Sequence, residues 1–300
     1  MTHLPAPRRR RLGTTGITPS PLGWGMWRTG GSVDETATLL HAALDAGIDL
    51  IDTADIYGWT GSGGFGDIEA LLGEVLRGEP GMRDRITLVT KGGICLPKPY
   101  DQSRDYMESA LDASLGRLGT DRIDIYLIHR PDILTHPQEL ARFLDDAVAS
   151  GKVRAFGVSN FTTAQIATLD AMLDAPLSVT QPEISPLRIE PLTNGEMDQA
   201  MELGLLPMAW SPLAGGRLMQ PQTARELAVA EALDSVAEQH AVSRAVAAYG
   251  WLMAHPAGIV PIVGSQDPVR ITEAAQAMGM RWTRAEWYGV YTAARGEPLP

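Results

Sequence analysis

Short runs of Ile, Val and Leu, each bounded by turn residues, alternate along the chain with longer stretches whose apolar residues recur at helical spacing. This alternation predicts strand, helix, strand, helix. Pro21-Leu22-Gly23-Trp24-Gly25 opens the series. Asp34 to Ala46 follows, with Leu39, Leu40, Ala43 and Leu44 on one helical face and Gly47 as the stop. Further strands are expected at Ile48 to Asp52, Ile86 to Lys91, Ile123 to Ile128, Ala155 to Val158, Ser178 to Gln181, Leu206 to Trp210 and Gly258 to Val263. The remaining helices are expected at Asp67 to Leu76, Ser103 to Leu118, Pro137 to Ser150, Thr162 to Leu173, Asn194 to Glu202, Ala224 to Ala254 and Pro268 to Ala277.

Eight strand and helix units in roughly 250 residues match the count of a (β/α)8 TIM barrel. An open, doubly wound sheet is the structural rival, but no Gly-x-Gly-x-x-Gly follows the first strand to open a helix around a pyrophosphate. The glycine-rich stretch Ser62 to Gly66 lies too late and reads as a flexible loop. The chain is therefore expected to form a single barrel domain over residues 1–300, with residues 1–8 a flexible arm. Arg9 to Thr18 is expected as a hairpin across the barrel floor and Thr283 to Ala294 as an added C-terminal helix.

Composition narrows the partners. The 300 residues are 44% hydrophobic and 20% charged, an ordinary globular balance, and 36 acidic against 25 basic side chains leave a net charge of −11. Such a field repels nucleic acid and anionic membrane surfaces, so neither is expected as a partner. Cys95 is the one cysteine and closes no intramolecular disulfide. The run Arg8 to Arg11 precedes Leu12 to Leu22, which is full of Gly, Thr and Pro and lacks the apolar core of an export signal, so a cytoplasmic protein is expected.

In a barrel of this kind the chemistry sits where strands end. Strand two ends in Asp52 with Tyr57 five residues on, strand three ends in Lys91, and strand four is followed by His129. Three consecutive strands thus bring an acid, a phenol, an amine and an imidazole to one rim. Lys91 is one of only three lysines, with Lys98 and Lys152, in a chain that otherwise uses arginine. A phenol ionises near pH 10, so a proton-donating tyrosine is expected to need a cation beside it, and Lys91 would supply that charge while Asp52 fixes the ammonium. His129 would orient a carbonyl or join the relay. This quartet suits protonation of an oxygen as hydride reaches its carbon. No Gly-x-Ser-x-Gly, His-Glu-x-x-His or Cys/His spacing points to hydrolysis or to a metal.

These residues resemble the aldo-keto reductases over nearly the whole chain. Asp52-Thr53-Ala54-Asp55-Ile56-Tyr57-Gly58 is similar to the family's D-x-A-x-x-Y-G segment, and Thr90-Lys91 and Leu127-Ile128-His129 are similar to its lysine and histidine strands. The resemblance implies Tyr57 as general acid, with Asp52, Lys91 and His129 completing a tetrad. Gly157-Val158-Ser159-Asn160-Phe161 and Trp210-Ser211-Pro212-Leu213 resemble cofactor segments of the family. They imply that Ser159, Asn160 and Gln181 meet the carboxamide of a nicotinamide dinucleotide. By the same likeness Asp52 adjoins the cofactor, Trp210 stacks on its ring, and Ser211, Pro212, Leu213 and Gly215 meet its pyrophosphate.

Gly264, Ser265, Gln266, Arg270 and Glu273 resemble the segment for the adenosine half, and Gly25, Met26 and Trp27 a strand-one loop that touches the cofactor. Many members carry lysine at the place of Gly264 and asparagine at the place of Ala274. NADPH (NADP+) is the cofactor implied, with NADH possible. The segments His129-Arg130-Pro131-Asp132 and Trp210 to Gly216 resemble a bacterial branch, with Trp24, Trp59 and Arg130 at the substrate pocket. Arg130 has the alternative of pairing with Asp132. The function implied is reduction of an aldehyde or ketone to an alcohol. The alternative is a redox-sensing subunit of the potassium-channel β type, which binds the cofactor and turns it over slowly.

Overall fold

The computed structural model describes residues 3–300. Eight parallel strands close into a barrel in sequence order. They are β1 (Gly23–Gly25), β2 (Leu50–Asp52), β3 (Thr87–Gly92), β4 (Ile123–Ile128), β5 (Val153–Ser159), β6 (Val179–Gln181), β7 (Leu206–Ala209) and β8 (Val260–Val263). The helices around them are α1 (Val33–Asp45), α2 (Asp67–Gly78), α3 (Met82–Arg85), α4 (Arg104–Leu118), α5 (Pro137–Ala149), α6 (Thr163–Asp170), α7 (Glu196–Leu203), α8 (Ala224–His240), α9 (Arg244–Met253), α10 (Pro268–Ala274) and α11 (Arg284–Arg295). The expected TIM barrel is the observed fold. No helix among the described residues is long and apolar enough to cross a membrane.

Local chemistry accounts for where the helices begin. Ser32, Thr162, Thr223 and Thr283 each accept the N–H three residues on, while Glu35, Gln165, Glu226 and Glu286 reach back to the capping residue. The expected continuous helix from Ala224 to Ala254 is two helices. Ala241 turns left-handed with φ 53°, and the Ser243 hydroxyl caps the N-terminus of α9. α10 is shorter than expected and tightens into a 3-10 turn at Ala275–Gly279, whereas β5 starts earlier, at Val153. α11 is the expected C-terminal helix. Trp251 and Trp287 clamp it to α9, each indole N–H donating to the other's carbonyl at 3.0 Å.

Apolar side chains fill two layers. One lies between strands and helices. The other fills the barrel with Leu50, Val89, Ile125, Leu127, Val179, Met208, Val260 and Ile262, and Leu12 and Ile17 join it from below. The expected floor hairpin is a tight turn without strand pairing, in which the Leu12 N–H donates to the Ile17 carbonyl at 2.9 Å. Arg9 pairs with Asp49, and the Arg10 guanidinium donates to the carbonyls of Gly204, Leu205 and Ala257. Of the arm expected over residues 1–8, Met1 and Thr2 lie outside the described residues. His3 bridges Thr283, and the Leu4 N–H donates to the Trp282 carbonyl at 2.7 Å.

Leu12 is 1% exposed and plugs the barrel. Leu12→Ala is expected to cost about 2–5 kcal/mol, read as a lower midpoint of chemical denaturation at unchanged slope. A loss below about 0.5 kcal/mol would show that the turn is not part of the core.

Candidate active site

Side chains alternate across a strand, so inward positions recur every second residue. Leu50, Val89, Leu127, Val179 and Met208 face the barrel interior. Two residues further come Asp52, Lys91 and Gln181 at the strand ends and His129 and Trp210 just past β4 and β7, and Ser159 follows Gly157 on β5. The top layer of the barrel is therefore polar for the same geometric reason that the layers beneath are apolar. Gly157 stays small by necessity, since a Cβ there would lie 2.3 Å from the Val179 carbonyl oxygen.

The four expected residues converge. Lys91 Nζ donates to Asp52 Oδ1 at 2.6 Å, to the Thr53 carbonyl at 2.9 Å and to the Tyr57 hydroxyl at 2.8 Å. An ammonium has three N–H donors, and all are used. Tyr57 meets the His129 ring edge-on at 5.9 Å between centroids, and Trp27 packs against its other side at 5.1 Å. Gln181 Nε2 donates to Asp52 Oδ2 at 2.7 Å. The pattern continues around the rim. Ser159 donates to the Gln181 carbonyl at 2.8 Å, Asn160 Nδ2 donates to Ser159 Oγ at 2.8 Å, and Trp210 Nε1 donates to Asn160 Oδ1 at 2.9 Å. Asn160 reaches this position with a left-handed φ of 60°, which asparagine tolerates better than most residues.

Burial dominates the proton equilibria. It pushes the Tyr57 phenol well above its usual value, and Asp52 adds to the rise while Arg130 opposes it. The expected cation does stand beside the phenol, but burial outweighs it, and Tyr57 stays protonated. Burial also lowers Lys91, against the pull of Asp52. His129 is driven well below 6.5 by burial and by the charges of Lys91 and Arg130, so its ring is neutral, with a shielded Nδ1 that has no partner.

The second half of the rim carries the other expected residues. After Trp210 the backbone is left-handed at Ser211, Ala214, Gly215 and Gly216. Pro212 is buried and Leu213 half-buried along this loop. Within this loop the Ala214 N–H donates to the Ser211 carbonyl at 2.7 Å and the Gly216 N–H to the Leu213 carbonyl at 3.0 Å. Arg270 is 75% exposed and only loosely paired with Asp267 at 3.6 Å. Gly264 opens onto free space, and Ser265 and Glu273 flank the same region, Glu273 on α10. The Gln266 side chain is occupied, accepting from Thr29 Oγ1 at 2.8 Å and donating to the Gly25 carbonyl at 3.5 Å. Gly25 and Met26 are buried, and Trp27 is 59% exposed.

Of the expected pocket residues, Trp59 lies at the surface, while Trp24 is fully buried and donates its indole N–H to the Ser265 carbonyl. Trp24 is thus a strut between β1 and the loop after β8, not a pocket wall. Arg130 does not pair with Asp132. That carboxylate instead accepts from the Leu134 and Gln102 N–H groups and from Thr135, and the guanidinium lies 5.6 Å from the Trp210 ring centre. The Thr53 carbonyl as third acceptor of Lys91 had no signal in the sequence, because every residue carries one.

A model of the aldo/keto reductase family matches residues 21–290. A 6-dehydroglucose reductase from Novosphingobium aromaticivorans is 64% identical over 304 aligned residues that cover 100% of both chains. A 6-dehydroglucose reductase from Agrobacterium fabrum is 38% identical, covering 92% of this chain and 94% of its own. Among solved structures, a thermostable aldo-keto reductase in complex with the inhibitor epalrestat aligns over 98% of this chain and 100% of its own, with a TM-score of 0.80 and 24% identity. That last likeness speaks for the fold.

Breaking the buried pair should cost more than removing it. Lys91→Met leaves Asp52 without its ammonium and is expected to lose about 3–5 kcal/mol, part of which Lys91→Met/Asp52→Asn recovers in chemical denaturation. A double variant no more stable than the single would refute the pairing. Below pH 6.5 the unfolded chain gains a proton that folded His129 refuses, so this group makes stability fall as pH drops. His129→Gln is expected to flatten that slope in denaturation curves taken between about pH 7 and pH 5.

Proposed function

The chain belongs to the aldo/keto reductase family, and on that premise we propose that it reduces an aldehyde or ketone to an alcohol at the expense of NADPH, with Tyr57 as proton donor. The observation that carries this reading is the Tyr57 hydroxyl held 2.8 Å from the Lys91 ammonium, beside the neutral ring of His129. Bound to the rim, the nicotinamide would supply hydride to the carbonyl carbon. Negative charge then grows on the carbonyl oxygen, and the phenol proton moves to it. The phenolate left behind forms next to Lys91, whose ammonium Asp52 and the Thr53 carbonyl hold in place. His129, uncharged, would orient the carbonyl without competing as an acid.

The residues present fit the cofactor. Trp210 offers a ring face to stack on, and Ser159, Asn160 and Gln181 form a polar edge beside it. The loop from Ser211 to Gly216, open on the side of Gly215 and Gly216, would lie along the pyrophosphate. Arg270, barely paired and exposed, suits a 2′-phosphate, with Gly264, Ser265 and Glu273 around it. Gln266 would act by tying this loop to Thr29 and Gly25 and so to the strand-one loop. For substrate, the 64% identical relative makes 6-dehydroglucose the first compound to test. Arg130, with no carboxylate partner among the described residues, would donate to oxygens near the reacting carbon. Both relatives carry reductase names, which favours turnover over the sensing alternative.

Tyr57→Phe is expected to lower kcat by about 10²–10⁴-fold while NADPH binding, followed by quenching of tryptophan fluorescence, stays unchanged. Reduction by Tyr57→Phe at the parent rate would remove the proton-donor role. Arg270→Ala should weaken NADPH but not NADH in the same titration, and Trp210→Ala should abolish most of the quenching. No binding of either cofactor would sink the reading.

A further inference from the structure

Close to the ion pair lies a second buried acid that the proposed reaction does not use. Asp55 is 1% exposed, and neither of its carboxylate oxygens has a hydrogen-bond partner. The neighbouring cations are occupied. All three donors of Lys91 go to Asp52, Thr53 and Tyr57. Arg117 gives Nε to Glu69 Oε2 at 2.8 Å and its terminal nitrogen to the same oxygen at 2.7 Å, and Thr90 donates to the other Glu69 oxygen at 2.5 Å. The Tyr126 hydroxyl, fully buried, also lacks a partner.

Asp55 and Tyr126 border one backbone position. A Cβ on Gly92 would lie 2.1 Å from the Tyr126 hydroxyl and 3.6 Å from Asp55 Oδ2. The groups acting on Asp55 are Glu69 from α2, which raises it, and Arg117 from α4, the neighbouring Ile56 N–H and Lys91 from β3, which oppose the rise; Asp55 in turn raises Tyr106 on α4 and Tyr126 on β4. Two buried acids thus share the reach of one guanidinium, and Glu69 holds it. An unpaired buried carboxylate takes up a proton rather than stay charged. Burial first, and Glu69 second, hold Asp55 well above the usual carboxylate range.

We propose that Asp55 is a neutral carboxylic acid while the protein works, and that its remaining neutral is a condition for Tyr57 to release its proton. The inference rests on the reading of Tyr57 as donor. When the phenol O–H bond breaks and the alcohol O–H bond forms, the electron pair stays on the phenolate, already beside Asp52. Asp55 sits two residues before Tyr57 with its N–H donating to the Lys91 carbonyl at 3.1 Å, so a charged Asp55 would add a further negative charge beside the pair and hold the protons on both Tyr57 and Lys91. Asp55 touches no reacting atom. It is a positioning residue acting through the field at the pair.

Infrared spectroscopy of the whole protein at pH 7 tests the first clause without any assay of activity, so its outcome is separate from that of the Tyr57 reading. The carbonyl stretch of a protonated carboxyl group is expected in the parent, absent in Asp55→Asn and shifted in Tyr126→Phe. Absence of that band in the parent overturns the proposal. In the pH profile of reduction, Asp55→Asn, which cannot ionise, is expected to keep its rate at pH 7 within about twofold and to carry it to higher pH than the parent. An alkaline limb that does not move, or a folded Asp55→Asn slower by more than about tenfold at pH 7, overturns the coupling to Tyr57.

Discussion

A single buried ammonium with all of its hydrogen-bond donors used is the constraint on which the reaction centre depends. Lys91 touches an acid, a backbone carbonyl and a phenol at once, so its position is over-determined. Asp52 answers with both oxygens, one to Lys91 and one to Gln181, and the chain of donors runs on through Ser159 and Asn160 to Trp210. Five strands are thereby tied at one level of the barrel. Buried ion pairs contribute little net stability, yet losing one partner is costly, so what this arrangement secures is geometry.

Stability comes from elsewhere in the molecule. The barrel interior below the polar layer is filled by aliphatic side chains, and a second apolar layer separates strands from helices. The division into a packed lower body and a polar rim follows from the two-residue period of the strands and requires no irregular backbone. Three of the four left-handed residues other than glycine among the described residues lie at the rim, the fourth being Ala241 between α8 and α9. Asn160, Ser211 and Ala214, all left-handed without being glycine, cluster in the loops after β5 and β7. Strain of that kind concentrates where a ligand is to be gripped.

Much of this was legible in the sequence. The eight strands, the polar residues at their ends and the capping residues of the helices all leave periodic or positional marks. The break at Ala241 was less visible, because alanine and valine continue a helical pattern and only Ser243 signals a fresh start. Trp24 was misplaced because an aromatic near a strand end looks the same in one dimension whether it turns to the rim or to the helix layer. The net direction of the Tyr57 shift is hidden from the sequence for a related reason. A cation nearby can be read from residue types, but the depth of burial that outweighs it depends on packing from β3, β4 and the loop bearing Trp27. Asp55 was visible only as a letter in a motif. Its lack of partners exists solely in three dimensions.

The turn from Leu12 to Ile17 carries a consequence for traffic. With the bottom of the barrel sealed by aliphatic side chains, the reaction centre has one door. In the proposed reaction, cofactor, carbonyl compound and alcohol would all pass the same rim, and whatever lies deepest would enter first and leave last. The same holds for the smallest cargo. If Tyr57 is the donor we propose, each departing alcohol would carry away its hydrogen ion, and the replacement would come down from solvent through the mouth once the product has cleared it.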